Sequence, residues 1–166
     1  MKGRPLCGMA GIAIALGMTA SGAEVSRLVK ARLVISGDVR VFRHDISISN
    51  KGESRRVVAV VLWQDAGLPV PPKTLSAPKG WEVRSVQQEG DRGSTWTVEF
   101  RCISEPSANS GSGGANPPPS DDEIRCGIRA GQTVSFQVVL PFPAEIPDTQ
   151  RILVGFSDGR LGVASR

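Results

Sequence analysis

Alternating apolar and polar residues, turn chemistry between the alternating runs and no amphipathic helical stretch of useful length after residue 23 predict an all-β fold. The expected form is a single antiparallel β-sandwich of about seven to nine strands. Two cysteines at the ends of a Gly/Ser/Pro-rich stretch add one long loop closed by a disulfide.

The chain has 166 residues and three cysteines, and it opens with MKGRPLCGMAGIAIALGMTASGAEV. Lys2 and Arg4 precede an apolar run from Leu6 to Met18, and small residues from Thr19 to Ala23 follow. That order is the signature of a secretory signal peptide over residues 1–23, with cleavage after Ala23 and Gly22 or Ala20 as near alternatives. The run is too short, and too interrupted by glycine, for a membrane span of ~20 residues. Residues 24–166 are the expected mature domain, with no stable membrane span left after cleavage. Loss of Lys2 and Arg4 lowers the net charge from +4 to +2. A charge that small, on scattered basic residues, argues against nucleic acid as a partner.

SRLVKARLVISGDVRV supplies the first strand or two. In FRHDISISNKG, Phe42, His44, Ile46 and Ile48 share one face, and Asn50 to Gly52 turn the chain. RRVVAVVLWQD is apolar on both parities, so it is expected as a central strand covered on both sides, or as one whose edge meets another element. Pro71, Pro72 and Pro78 suit a connection crossing between layers, because proline cannot donate to a central ladder. In TWTVEFRC, Trp96, Val98, Phe100 and Cys102 face the core while Thr95, Thr97, Glu99 and Arg101 face solvent. TVSFQVVLPF turns Val134, Phe136, Val138 and Leu140 inward, and EIRCGI does the same with Ile124, Cys126 and Ile128. RILVGF and RLGVAS flank Ser157-Asp158-Gly159, a short hairpin signal. With no internal repeat visible, the economical arrangement is one immunoglobulin-like sandwich.

Removal of the leader takes Cys7 with it and leaves Cys102 and Cys126, an even count that pairs in an oxidising compartment. The residues between them, 103–125, carry few apolar side chains and read as a flexible loop. Closing a loop of that length is assigned about 3.5 kcal/mol by the chain-entropy account.

ISISNKG, VVAVVLW, APKGWEV, WTVEFRC with its partner RC at Arg125 and Cys126, and IRAGQTVSFQVVL together resemble the conserved-repeat, immunoglobulin-like domains of bacterial secreted and cell-surface proteins. The terminal hairpin from Arg151 onward falls outside that pattern. The resemblance implies a surface, adhesive or spacer role with no catalytic residues to carry over.

The inventory for chemistry is thin. His44 and Asp45 are neighbours on a strand and point to opposite faces, no His or Cys cluster has metal-ligand spacing, and Asp121, Asp122 and Glu123 lack the alternation of a calcium loop. SGSGG at 110–114 lacks the lysine of a phosphate loop. No catalytic residue, metal or cofactor is expected. Trp81 and Trp63 are the candidates for a ligand-binding face, since a displayed indole stacks on sugars or anchors a protein; Trp96 has core parity. The sequence therefore predicts an exported, non-enzymatic binding or structural module with an envelope or surface protein as partner. Carbohydrate binding through exposed tryptophan is the alternative.

Overall fold

The computed structural model describes residues 24–90, 93–103, 126–146 and 151–166. The expected leader over 1–23, nearly all of the 103–125 loop, and Ile124 lie outside the described residues.

Nine strands form one hydrogen-bonded sheet: β1 (Glu24–Asp38), β2 (Val41–Asn50), β3 (Val57–Leu62), β4 (Thr74–Ser76), β5 (Trp81–Gly90), β6 (Gly93–Cys102), β7 (Thr133–Leu140), β8 (Ile152–Phe156) and β9 (Leu161–Ser165). Their order across the sheet is β4-β7-β2-β1-β9-β8-β3-β6-β5. All pairings are antiparallel except β1 with β9.

β1 is the joint. Its first residues run parallel to β9, the register shifts between Ser26 and Lys30, and from Val29 to Asp38 it pairs with β2. A shift of this kind kinks a strand and increases its twist. One fifteen-residue strand thereby serves two parts of the sheet, where the sequence allowed one strand or two.

The sheet folds back on itself through its side chains. Trp81 of β5 and Phe100 of β6 meet Phe136 of β7, with ring centroids 5.0 and 4.4 Å apart, the first pair edge to face. These three rings belong to one cluster with Ile46, Ile48, Val60, Leu62, Val98, Val138 and Val154. Burial of such side chains contributes roughly 1.5–3 kcal/mol each.

The alternations in β2 and β7 hold, with His44, Ile46, Ile48, Phe136, Val138 and Leu140 all buried. β3 is central, as its two apolar parities imply, and lies between β6 and β8. The terminal hairpin sits in the middle of the sheet, and β8 is buried along its whole length. Residues 63–80 carry the chain from β3 across to β7, where β4 pairs, and back to β5. That is the crossing the prolines suggest.

Candidate functional site

The disulfide joins Cys102, the last residue of β6, to Cys126, with Cα atoms 5.6 Å apart. Cys102 pairs with Trp81 across β5–β6, so the bridge fixes the start of β5 as well as the end of β6. Two residues after Cys126, Ile128 exchanges both backbone hydrogen bonds with Val57. The chain returning from the loop is thus held within two residues of the bridge.

Polar side chains buried in the core act as clamps. Asn50 closes β2: its Nδ2 lies 3.0, 3.1 and 3.2 Å from the carbonyls of Glu53, Arg55 and Ile128, while Oδ1 accepts from the N–H groups of Gly52 and Glu53. This asparagine ties the loop after β2 to the segment entering from Cys126, where the described residues of the expected EIRCGI strand form only a single bridge, at Ile128. His44 spans two elements in the same way. Its Nδ1 lies 3.2 Å from the Phe42 carbonyl, and Nε2 accepts the Ala144 N–H at 2.9 Å. Accepting at Nε2 requires the neutral ring with its proton on Nδ1. Burial holds the pKa below its ordinary value, against the opposing influence of the backbone bonds.

Glu99 departs from its expected place. Parity assigns it to solvent, yet it is only 2 % exposed. Arg84 approaches its Oε2 through Nε at 2.9 Å and Nη2 at 2.8 Å, and Arg101 Nη2 reaches the same oxygen at 3.1 Å. Arg84 stands directly opposite Glu99 in the β5–β6 register, and Arg101 lies two residues along the same strand face. The guanidinium groups cover the carboxylate from the solvent side. A buried charge needs such partners, and sequence reasoning missed the cluster because one strand's parity does not show what the neighbouring strand lays across it.

The two tryptophans chosen as candidate binding residues do not present stacking faces. Trp81 is 9 % exposed against Phe136, and Trp63 is 2 % exposed with its ring edge-on to His44, centroids 6.0 Å apart. This corrects the expectation of a displayed indole. Trp81 begins β5 where the core is closed by β7, and Trp63 turns back into the core as β3 ends. Trp63 holds φ at 55°, a region a bulky residue occupies only when its surroundings enforce it. Its carbonyl accepts the Gly67 N–H, closing a turn at 2.9 Å, and its Nε1 is buried without a hydrogen-bond partner.

No group of three or more His, Cys, Asp or Glu side chains among the described residues is placed to hold a metal ion. What the surface offers is backbone. The sheet ends at β4 and β5, and the two ends are unlike. β4 has three residues, with Pro71 and Pro72 before it and Pro78 after it. β5 has ten and, among the described residues, bonds on one side only. The Ile103 N–H donates to the Gly80 carbonyl, which fixes the phase of the strand. Even-numbered residues turn their backbone groups to β6, and Val83, Ser85 and Gln87 turn theirs outward.

No protein-family model matches the chain, and no curated protein matches it. Among solved structures, it is similar to an uncharacterized protein from Nocardia farcinica whose crystal structure reveals an immunoglobulin-like fold. The identity is 17 %, the match covers 81 % of each chain, and the TM-score is 0.50. At that identity the likeness speaks for the fold alone, and the fold of this chain is immunoglobulin-like.

Proposed function

We propose that the chain is an exported, non-enzymatic binding or structural module of the bacterial envelope or cell surface, built as a two-layered sandwich, which engages a protein partner by strand addition to β5. The observation that carries this reading is the contrast between the sheet's two ends. Short edge strands and flanking prolines are the usual means of preventing edge pairing, and β4 has both. β5 has neither. From Val83 onward it offers a run of outward N–H and C=O groups, the feature that β-augmentation uses.

The Cys102–Cys126 bridge supports an oxidising compartment. His44, the chain's one histidine, has both ring nitrogens committed to backbone groups, which supports a structural rather than a catalytic role. Burial of Trp63 and Trp81 favours protein over glycan as partner.

The test uses protein produced with its own leader, purified oxidised and presented to envelope extracts. Saturable capture of one protein is expected, and Ser85→Pro, which removes an outward N–H without taking a β5–β6 bond, should abolish capture while the circular dichroism spectrum is retained. Capture that survives Ser85→Pro, or capture of glycan alone, would overturn the reading.

A further inference from the structure

A second stretch of open edge lies inside the sheet order. β1 pairs with β2 through Asp38, but among the described residues its other side is paired, by β9, only as far as Lys30, opposite Ser165. Beyond that point a cleft of about 520 Å³ runs along β1, lined by Ala31, Arg32, Leu33 and Ile35 of β1 and by Glu145, Ile146, Ile152 and Arg166. The backbone phase is again fixed by hydrogen bonds. The Leu28 carbonyl accepts from Lys51 on the β2 side, while the Val29 carbonyl accepts from Ser165 on the β9 side. Odd-numbered residues of the extended stretch therefore turn outward, and Leu33 and Ile35 present their N–H and C=O groups to the open edge.

We propose that this edge pairs with the same edge of a second copy of the chain, antiparallel, about a two-fold axis through Ile35. The argument is self-complementarity. A two-fold normal to the sheet sets one residue opposite its own copy, and placing Ile35 there sets Leu33 opposite Gly37, Val34 opposite Ser36 and Arg32 opposite Asp38. The charge match carries the pairing. Gly37 adds no side chain opposite Leu33; glycine there is required by its own hairpin, where φ is 144° and a Cβ would run into the Val41 carbonyl. Arg32 and Asp38 are both exposed on the outer face, and the two-fold produces their ion pair twice. As a non-hydrogen-bonded pair they fall at the closer of the two cross-strand spacings.

The register is also bounded by the rest of the fold. Moving the axis to Val34 would lay the copy's Asp38 against Lys30, where β9 already stands. With Ile35 on the axis, the paired segment, residues 32–38, stays clear of β9. Exposed apolar side chains gather on the same hairpin: Leu28, Val34, Val39 and Val41 are four of the seven large ones among the described residues, and Val39, at the tip, is 89 % exposed. The β5 edge has no such match. Its central pairing, about Ser85 or Val86, brings no acid opposite a base, and Arg84 is already engaged by Glu99.

Sedimentation equilibrium of the oxidised protein, made with its own leader, tests this. A monomer–dimer equilibrium is expected. Arg32→Glu and Asp38→Lys should each weaken it by about tenfold, because each replaces two attractions by two repulsions. The double variant Arg32→Glu/Asp38→Lys should return to within about twofold of the parent, and Ser85→Pro should leave the dimer unchanged. A protein monomeric at every concentration, a double variant no stronger than either single one, or a dimer lost in Ser85→Pro would overturn the proposal.

Discussion

β5 and β6 are both ten residues long and are paired residue for residue from Trp81–Cys102 to Gly90–Gly93, yet they have opposite roles. β6 buries both faces over Thr97 to Phe100 and is bonded on both sides. β5 is exposed or half-buried after Trp81 and is bonded on one side. Equal length and a shared ladder do not make equal strands; what lies on the far side of each does. Substitutions in β6 should be read as loss of stability, and substitutions on the outer edge of β5 as loss of binding with stability kept.

The largest effect belongs to Phe100. It is fully buried against Phe136, and Phe100→Ala should cost about 3–5 kcal/mol, seen as a lowered midpoint in urea unfolding. A cost below about 1 kcal/mol would put β6 on the same footing as β5. Next comes the bridge at the end of β6: replacing Cys102 and Cys126 together by serine should remove about 3.5 kcal/mol. The same denaturation measurement checks it, and an unchanged midpoint would mean that the Val57–Ile128 bonds hold the returning chain unaided.

Glu99 is the third. Glu99→Ala leaves Arg84 and Arg101 facing each other without their carboxylate, but both can turn to water, so about 1–3 kcal/mol is expected rather than the full cost of a broken buried pair. Adding Arg84→Ala to that variant should cost little more, since the β5 residue acts through Glu99; strict additivity in the double-mutant cycle would contradict the coupling.

The smallest effect concerns His44, on β2 and remote from this pair of strands. Its folded pKa lies below the ordinary 6.5, so the unfolded chain takes up a proton that the folded chain refuses. Its contribution to stability is complete above the ordinary value and is lost as pH falls from there to the lowered value. Thermal midpoints at pH 7.5 and 5.5 should differ in the parent and differ less in His44→Gln; equal pH dependence in both would show that the ring titrates freely.

Much of this was legible in single strands. β2 and β7 could be read from alternation, since each has one face on the core and one on solvent. The β8–β9 turn could be read from Asp158-Gly159, and the disulfide from the cysteine count. Relations between strands could not. Glu99 was assigned to solvent because parity is a property of one strand, whereas its burial depends on Arg84 arriving from β5 in register. The central position of the terminal hairpin and the split pairing of β1 arise in the same way, from neighbours distant in the chain. Trp63 and Trp81 are candidates for a binding face because a displayed indole stacks on sugars or anchors a protein, and sequence alone does not show which way a strand terminus faces; here both turn into the core. The proposed site, a row of backbone groups on β5 without a bonded neighbour among the described residues, has no side-chain signature and becomes visible only when the strand order is known.

Amide hydrogen exchange on the free protein and on the protein with its captured partner tests the account most directly. The account predicts that Val83, Ser85 and Gln87 exchange rapidly alone and slow markedly with the partner bound, while Glu82, Arg84 and Val86, bonded to β6, change little. Slow exchange at all six in the free protein, or a partner that leaves Val83, Ser85 and Gln87 as fast as before, would contradict strand addition at β5.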